Sequence, residues 1–225
     1  MIYSGKVALV TGTSRGLGRL IAEYLLTEGC TVIGWSRGAA TIQNANYIHD
    51  TVDVTDAVAV RDGMPGHLDY AINNAGLGPS APALLMDAEL ARYALLTNLY
   101  GTFLVSREAA RVMRGGRLVN IGSILARLEP VGASIYAASK AGVETFSGIL
   151  AKELAGRGVT VNTIGMASYE TDMFKALGER GQKYVDALPL PQLATADDVM
   201  NVLDFFLSPR SSFITGQTVY LGGVR

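Results

Sequence analysis

A short, continuous apolar run, Lys6 to Thr11 (KVALVT), stops at Gly12, and two more glycines follow at Gly16 and Gly18. Beyond them Leu17, Leu20, Ile21, Tyr24, Leu25 and Leu26 recur at helical spacing until Gly29, and a second apolar run occupies Thr31 to Trp35. An apolar run without alternation predicts a strand covered on both faces. A helix leading to a second such strand predicts a parallel pair joined by a right-handed crossover. Glycines at the junction let the backbone turn sharply and approach a diphosphate at the positive end of the helix. The spacing Thr11-Gly12-x-x-x-Gly16-x-Gly18 also fits a tight turn with no ligand, but its position between strand and helix favours a nucleotide.

The same alternation continues. Tyr47 to Val54 reads as a third strand with Asp53 at its end, after a polar stretch, residues 38–46, too weakly patterned for a helix. A short helix over Thr55–Gly63 precedes a fourth strand, Leu68–Ile72, closed by Asn73-Asn74-Ala75-Gly76. A Gly/Pro/Ser-rich loop leads into a long helical region from about Ala88 to Met113. Arg117–Ile121 is a fifth strand, ending at Gly122-Ser123, and the next helix runs to about Ala155. Val159–Ile164 and Gln217–Leu221 complete the strands, with a helix near Ala196–Leu207 before the last. The expectation is an α/β chain: a Rossmann-type doubly wound sheet of about seven parallel strands with helices on both faces. With no linker, repeat or low-complexity segment, residues 1–225 read as a single domain. The irregular stretch 167–193 is a candidate substrate lid.

Composition narrows the function. Of 225 residues 49% are apolar and 17% charged, enough for a sizeable core with buried strands. A net charge of −1 without basic or acidic blocks offers neither a nucleic-acid footprint nor a polybasic membrane patch. The single cysteine, Cys30, excludes an internal disulfide and fits a reducing compartment. Residues 1–12 read as an ordinary first strand rather than a signal peptide, and no apolar stretch approaches the ~20 residues that span a bilayer. A cytoplasmic protein is expected. His49, His67 and Cys30 are too scattered for a metal site, so none is predicted.

Chemistry concentrates in Ser134–Phe146 (SIYAASKAGVETF), where Tyr136 and Lys140 stand four residues apart. On a helix that spacing puts both on one face, with Cβ atoms about 5–6 Å apart. A free phenol has a pKa of about 10, and an ammonium one turn away favours the phenolate and pulls it toward neutrality. Such pairs also occur on any solvated helix face, so the surroundings decide. Ser123, at a strand end, could hold a carbonyl or alkoxide, or simply cap a helix. It lacks a GxSxG context, and neither histidine is placed to make it a hydrolase nucleophile. Asn73–Gly76 lies at the carboxyl end of a strand, where ligands of such sheets bind, although Asn and Gly are also plain turn formers. A site selective for NAD would carry a carboxylate after the second strand. Here Trp35-Ser36-Arg37 stands instead, with Arg15 in the glycine turn, and two guanidiniums with a hydroxyl suit a 2′-phosphate. NADP(H) is therefore favoured over NAD(H). Asp53 can accept from an adenine amino group with Val54 beside the ring, or serve as a helix N-terminal carboxylate before Thr55-Asp56.

In this order, TGxxxGxG at Thr11–Gly18, NNAG at Asn73–Gly76, Asn98, Ser123 and YxxxK at Tyr136–Lys140, the chain resembles the short-chain dehydrogenase/reductases over nearly its whole length, to Ile214-Thr215-Gly216-Gln217. Within the family it most resembles NADP-dependent 3-oxoacyl-carrier-protein reductases, with support from Val161-Asn162 and Glu170-Thr171-Asp172-Met173. The resemblance implies that Tyr136 is the general acid in carbonyl reduction and that Lys140 lowers its pKa and bonds the nicotinamide ribose. Ser123 would polarise the carbonyl, and Asn98 would hold a water linking Lys140 to solvent. Gly12, Ser14, Arg15, Gly16 and Leu17 would line the phosphates, Arg37 the 2′-phosphate, and Asp53 and Val54 the adenine. Asn74, Ala75 and Gly76 would pack along the ribose, and Thr171 would reach the nicotinamide amide or diphosphate.

The chain departs from the family pattern at Met166-Ala167, where relatives usually carry Pro-Gly, and in the short segment between Arg37 and Tyr47. Leu125, Leu128, Pro130, Tyr169, Met173 and Phe174 would make an apolar substrate pocket; Arg127 and Arg180 read as exposed charges or as partners for an acidic group. The family assembles mostly as tetramers or dimers, which Thr145–Leu154 would suit, though core packing explains those residues equally well. The expected partner is a small carbonyl or alcohol substrate, with no nucleic acid or membrane. The alternatives are an NAD-dependent dehydrogenase of a cyclic diol or sugar, and a non-catalytic NADP-sensing regulator.

Overall fold

Seven strands form one parallel sheet in the computed structural model, which describes residues 1–170, 172–175 and 177–224, without the side chains of residues 172 and 173. In chain order they are β1 (Val7–Thr11), β2 (Thr31–Ser36), β3 (Tyr47–Thr51), β4 (Tyr70–Asn73), β5 (Gly116–Ser123), β6 (Val159–Met166) and β7 (Thr218–Tyr220). Across the sheet they lie β3-β2-β1-β4-β5-β6-β7. The chain winds outward from β1 to β3, then returns beside β1 to lay down β4. The crevice above β1 and β4 is thus the switch point, where an open α/β sheet takes its ligands.

The strands are buried on both faces because successive side chains point to opposite sides. In β1, Val10 enters a core with Ile21 and Leu25 of α1 (Gly16–Thr27), while Leu9 enters another with Trp35 and Leu118. Helix α2 (Ala57–Asp62) follows β3; α3 (Ala88–Leu95) and α4 (Thr102–Val112) lie between β4 and β5. The short α5 (Leu125–Leu128) follows β5 and precedes α6 (Ser134–Leu154), which carries Tyr136 and Lys140. Two short helices, α7 (Asp172–Lys175) and α8 (Glu179–Asp186), fall in the stretch read as a lid, and α9 (Ala196–Leu207) covers the first core. In α6, Leu150, Ala151 and Leu154 belong to the second core, whereas Ile149 is exposed.

The sequence reading and the structure differ at element ends. The third strand stops at Thr51, so Asp53 lies beyond it. Its Oδ1 accepts from the Thr55 backbone N–H at 2.9 Å and hydroxyl at 2.8 Å, a turn that ends the ladder. Strands β5 and β6 run two residues past their expected ends, through the pairs Gly122–Gly165 and Ser123–Met166. The long helical region is not one α-helix: a π-helical stretch, Leu96–Gly101, joins α3 to α4 and carries Asn98. Gly101 is required there, since a Cβ would lie 2.7 Å from Val54 Cγ2.

Candidate active site

The site is built on the first turn after β1. Gly12 has φ +77°, in the left-handed region that favours glycine. A Cβ on Gly18 would come within 2.3 Å of the Gly12 carbonyl oxygen, so only glycine lets α1 begin this close to the strand. Thr11, which sequence reasoning passed over, locks the turn to β4. Its Oγ1 accepts from the backbone N–H groups of Asn74 and Ala75, both at 3.0 Å, and its carbonyl accepts from Asn74 Nδ2 at 2.9 Å. The available signal was a hydroxyl at the carboxyl end of an otherwise apolar strand.

A cleft of about 600 Å³ runs across the carboxyl ends of the strands. Gly12, Ser14, Arg15, Gly16, Leu17, Arg37, Asp53 and Val54 line one part; Asn74, Ala75, Gly76, Ser123, Tyr136 and Lys140 also line it. Fourteen of the residues singled out in the sequence therefore share one cavity. Thr171 lies outside the described residues. Asp53 is the one carboxylate among the described lining residues, against the cations of Arg15, Arg37 and Lys140. Charge alone makes the cleft suited to an anion.

Asn98 does not line the cleft. It is fully buried; its Nδ2 donates to the Leu77 carbonyl and Ser139 Oγ, and its Oδ1 accepts from Leu77 N–H, each at 2.9 Å. Its amide is thereby spent bracing the loop after β4 against α6. Its own carbonyl accepts from Thr102 Oγ1 at 2.7 Å.

Lys140 is buried, and its Nζ donates to the Ile121 carbonyl at 2.6 Å. Burial lowers its pKa from 10.5 to about 8. A Cβ on Gly76 would lie 3.6 Å from Nζ, so the NNAG backbone passes directly over the ammonium. Burial raises the Tyr136 phenol above its usual 10, and a hydrogen bond with Ser123 only partly opposes it. This corrects the sequence expectation. Desolvation of the phenol, rather than its spacing from Lys140, sets the direction of the shift. Ser123, the last residue of β5, is buried, and its Oγ accepts from Leu125 N–H at 3.2 Å, so it turns the chain into α5.

Of the expected apolar pocket, Leu125, Tyr169 and Phe174 line the cleft, joined by Leu77, Leu177 and Tyr184. Leu128 packs instead against the cluster of Ile124, Ala167 and Leu188, Pro130 is not a lining residue, and the Met173 side chain lies outside the described ones. Arg127 donates to Tyr220 Oη at 2.6 Å and pairs with Glu144 at 3.2 Å, away from the cleft. Arg180 is exposed and does not line it. Met166 and Ala167 both line the cleft, with the Met166 carbonyl accepting from Ile124 N–H at 2.8 Å. The short 38–46 segment sends Thr41 Oγ1 back to the Ser14 carbonyl at 3.1 Å. Among the described residues no cluster of three His, Cys, Asp or Glu is placed to hold a metal, and no helix is long and apolar enough to cross a membrane.

A doubly wound sheet with a glycine turn and a cationic cleft over its switch point defines a dinucleotide-binding protein of the Rossmann type. A family model described as Enoyl-(Acyl carrier protein) reductase matches residues 12–223. The chain is 35% identical over 241 residues to a 3-oxoacyl-[acyl-carrier-protein] reductase of Vibrio harveyi, covering 99% of this chain and 98% of that one. The corresponding Escherichia coli (strain K12) reductase is 36% identical over 239 residues, with the same coverage. Among solved structures, a short chain dehydrogenase from Burkholderia cenocepacia J2315 in complex with NADP superposes with a TM-score of 0.91 at 33% identity, over 99% of both chains. An aldohexose dehydrogenase of Thermoplasma acidophilum gives 0.89 at 29%, over 99% of this chain and 94% of that one. The chain belongs to the short-chain dehydrogenase/reductase family of oxidoreductases.

Proposed function

We propose that this oxidoreductase uses NADP(H) to reduce a ketone, 3-oxoacyl-like or another small carbonyl, to a secondary alcohol. The observation that carries the reading is that Ser123 and Tyr136 line the same cleft as the buried Lys140, whose Nζ is held by the Ile121 carbonyl. The cleft fits the dinucleotide: a Cβ has no room at Gly12 or Gly18, so the backbone of the turn stays open to the diphosphate, and the lining guanidiniums supply positive charge. Gly12, Ser14, Arg15, Gly16 and Leu17 would hold the phosphates, Arg37 the 2′-phosphate, Asp53 and Val54 the adenine, and Asn74, Ala75 and Gly76 the ribose; Thr171 stands as a further candidate. When bound, the cofactor supplies the hydride.

The chain itself supplies the proton and the fit. Tyr136, kept as a neutral phenol by burial, donates its proton to the substrate oxygen as negative charge develops there. Ser123 donates a second hydrogen bond to that oxygen. At pH 7 a lysine with pKa about 8 remains mostly an ammonium, so Lys140 favours loss of the phenolic proton at the moment of transfer. Asn98 acts as a positioning residue, holding Leu77 and Ser139 so that the NNAG backbone and α6 keep their spacing. The apolar end at Leu125, Tyr169 and Phe174 suits an acyl or alkyl substituent. We read the chain as one domain with 167–193 as its lid, cytoplasmic, and working as a homotetramer or homodimer.

The likeness to an aldohexose dehydrogenase keeps a second reading in view, NAD-dependent oxidation of a sugar or cyclic diol. Arg37 in place of a carboxylate after β2 favours the first. The regulator reading predicts a broken catalytic set, and Asn98, Ser123, Tyr136 and Lys140 are all present. The test is NADPH consumption against a panel of ketones, with Tyr136→Phe beside the wild type. Removing the proton donor should lower the rate about 10²–10⁴-fold; a variant that keeps its rate removes Tyr136 from the mechanism.

A further inference from the structure

Two lining residues meet across the adenosine end of the cleft. Arg37 leaves the end of β2, and Tyr93 stands on α3, which contributes its own lining residue there. The Arg37 Nη1 donates to the Tyr93 phenol oxygen, and its guanidinium carbon lies 5.6 Å from the ring centroid, within cation–π range. The partner is neutral. Among the described residues Arg37 has no ion pair, so its charge is held in place without being cancelled.

That combination has a chemical consequence. A guanidinium cannot lose its proton in a protein, and its planar fork recognises phosphate oxygens when its orientation is fixed. A carboxylate partner would orient it equally well but neutralise it. A phenol accepting from Nη1 orients it and keeps its own O–H, which can be donated to the same phosphate. We propose that Tyr93 is a specificity-determining residue: with Arg37 it forms a two-residue clamp for the cofactor's 2′-phosphate, and so sets the preference for the phosphorylated dinucleotide. This rests on the NADP reading above, through Arg37, and adds a residue from a separate element that neither motif nor spacing marks.

The test is calorimetric titration of the purified protein with two fragments, 2′,5′-ADP and 5′-AMP, which differ only in the phosphate at issue. Tyr93→Ala should weaken 2′,5′-ADP about tenfold and leave 5′-AMP within about twofold; Tyr93→Phe, which keeps the ring and loses the hydroxyl, should fall between. Arg37→Ala should cost 2′,5′-ADP more, and adding Tyr93→Ala to it should change little further, because the two residues act as a unit. Unchanged 5′-AMP binding shows that each variant is folded. Equal losses for both fragments, additive losses in the double variant, or no loss in Tyr93→Ala would each overturn the clamp. If Arg37→Ala alone spares 2′,5′-ADP, the NADP reading fails as well; if only Tyr93→Ala spares it, that reading stands and the clamp does not.

Discussion

Replacing Lys140 by methionine should make the ligand-free protein more stable while disabling it. Burial lowers the lysine from 10.5 to about 8, so the native state resists the proton that the unfolded chain keeps. Where the unfolded state binds more protons, stability rises with pH. The penalty is therefore fully present below about pH 8, shrinks as pH climbs from about 8 toward 10.5, and vanishes above. Converted at about 1.4 kcal/mol per pH decade, it amounts to about 3 kcal/mol at pH 7. Methionine matches the stem and carries no charge, but forfeits the 2.6 Å bond to the Ile121 carbonyl and leaves that oxygen unpaired, a loss of about 1–2 kcal/mol. A net gain of about 1–2 kcal/mol is expected at pH 7, turning into a net loss near pH 10.5. Urea melts of both proteins at pH 7 and pH 10, at one fixed protomer concentration, measure it, since the difference between them cancels every other titration. A gap between the two that does not change with pH, or one that favours methionine more at pH 10, would refute the lowering of the lysine pKa by burial.

Two further outcomes follow from the scaffold. Thr11→Val keeps the shape of β1 but orphans the Asn74 and Ala75 N–H groups; it should cost about 2–3 kcal/mol in a denaturant melt and weaken dinucleotide binding in a titration, and a change below about 0.5 kcal/mol would mean that Thr11 is not the lock on the turn. Asp204 on α9 accepts from the hydroxyls of Tyr3 and Tyr24, both at 2.5 Å, tying the chain start to α1 and α9. Asp204→Ala should lose about 2–3 kcal/mol in a thermal or urea melt with dinucleotide binding at low temperature unchanged; an equal fall in binding would connect this clamp to the site.

Much of the architecture was legible because it depends on local pattern. The runs at Val7–Thr11 and Thr31–Ser36, the helical recurrence between them and the helix Ala196–Leu207 all appear in the sequence at their observed places, to within a residue or two. Ends were harder. Asp53 looked like part of a strand because Val52 and Val54 flank it with apolar residues, yet a side-chain bond to Thr55 ends the ladder sooner. The π-helical stretch at Leu96–Gly101 carries no periodicity of its own; Gly101 sits there because Val54, far away in the chain, leaves no room for a Cβ. Leu128 and Pro130 were misassigned to the substrate end for a related reason: apolar character says that a side chain seeks cover, not which cover it finds.

By itself the sequence determined a parallel α/β sheet, a glycine turn between the first strand and its helix, and a tyrosine one helical turn from a lysine, because each is a matter of spacing within a single element or its junction. Only the tertiary structure decided that Thr11 holds Asn74 and Ala75, that Asn98 braces rather than lines the cleft, and that Arg37 meets Tyr93. It also reversed the expected direction at Tyr136, since a pKa answers to the whole shell of solvent and neighbours around a group, which residue spacing does not encode.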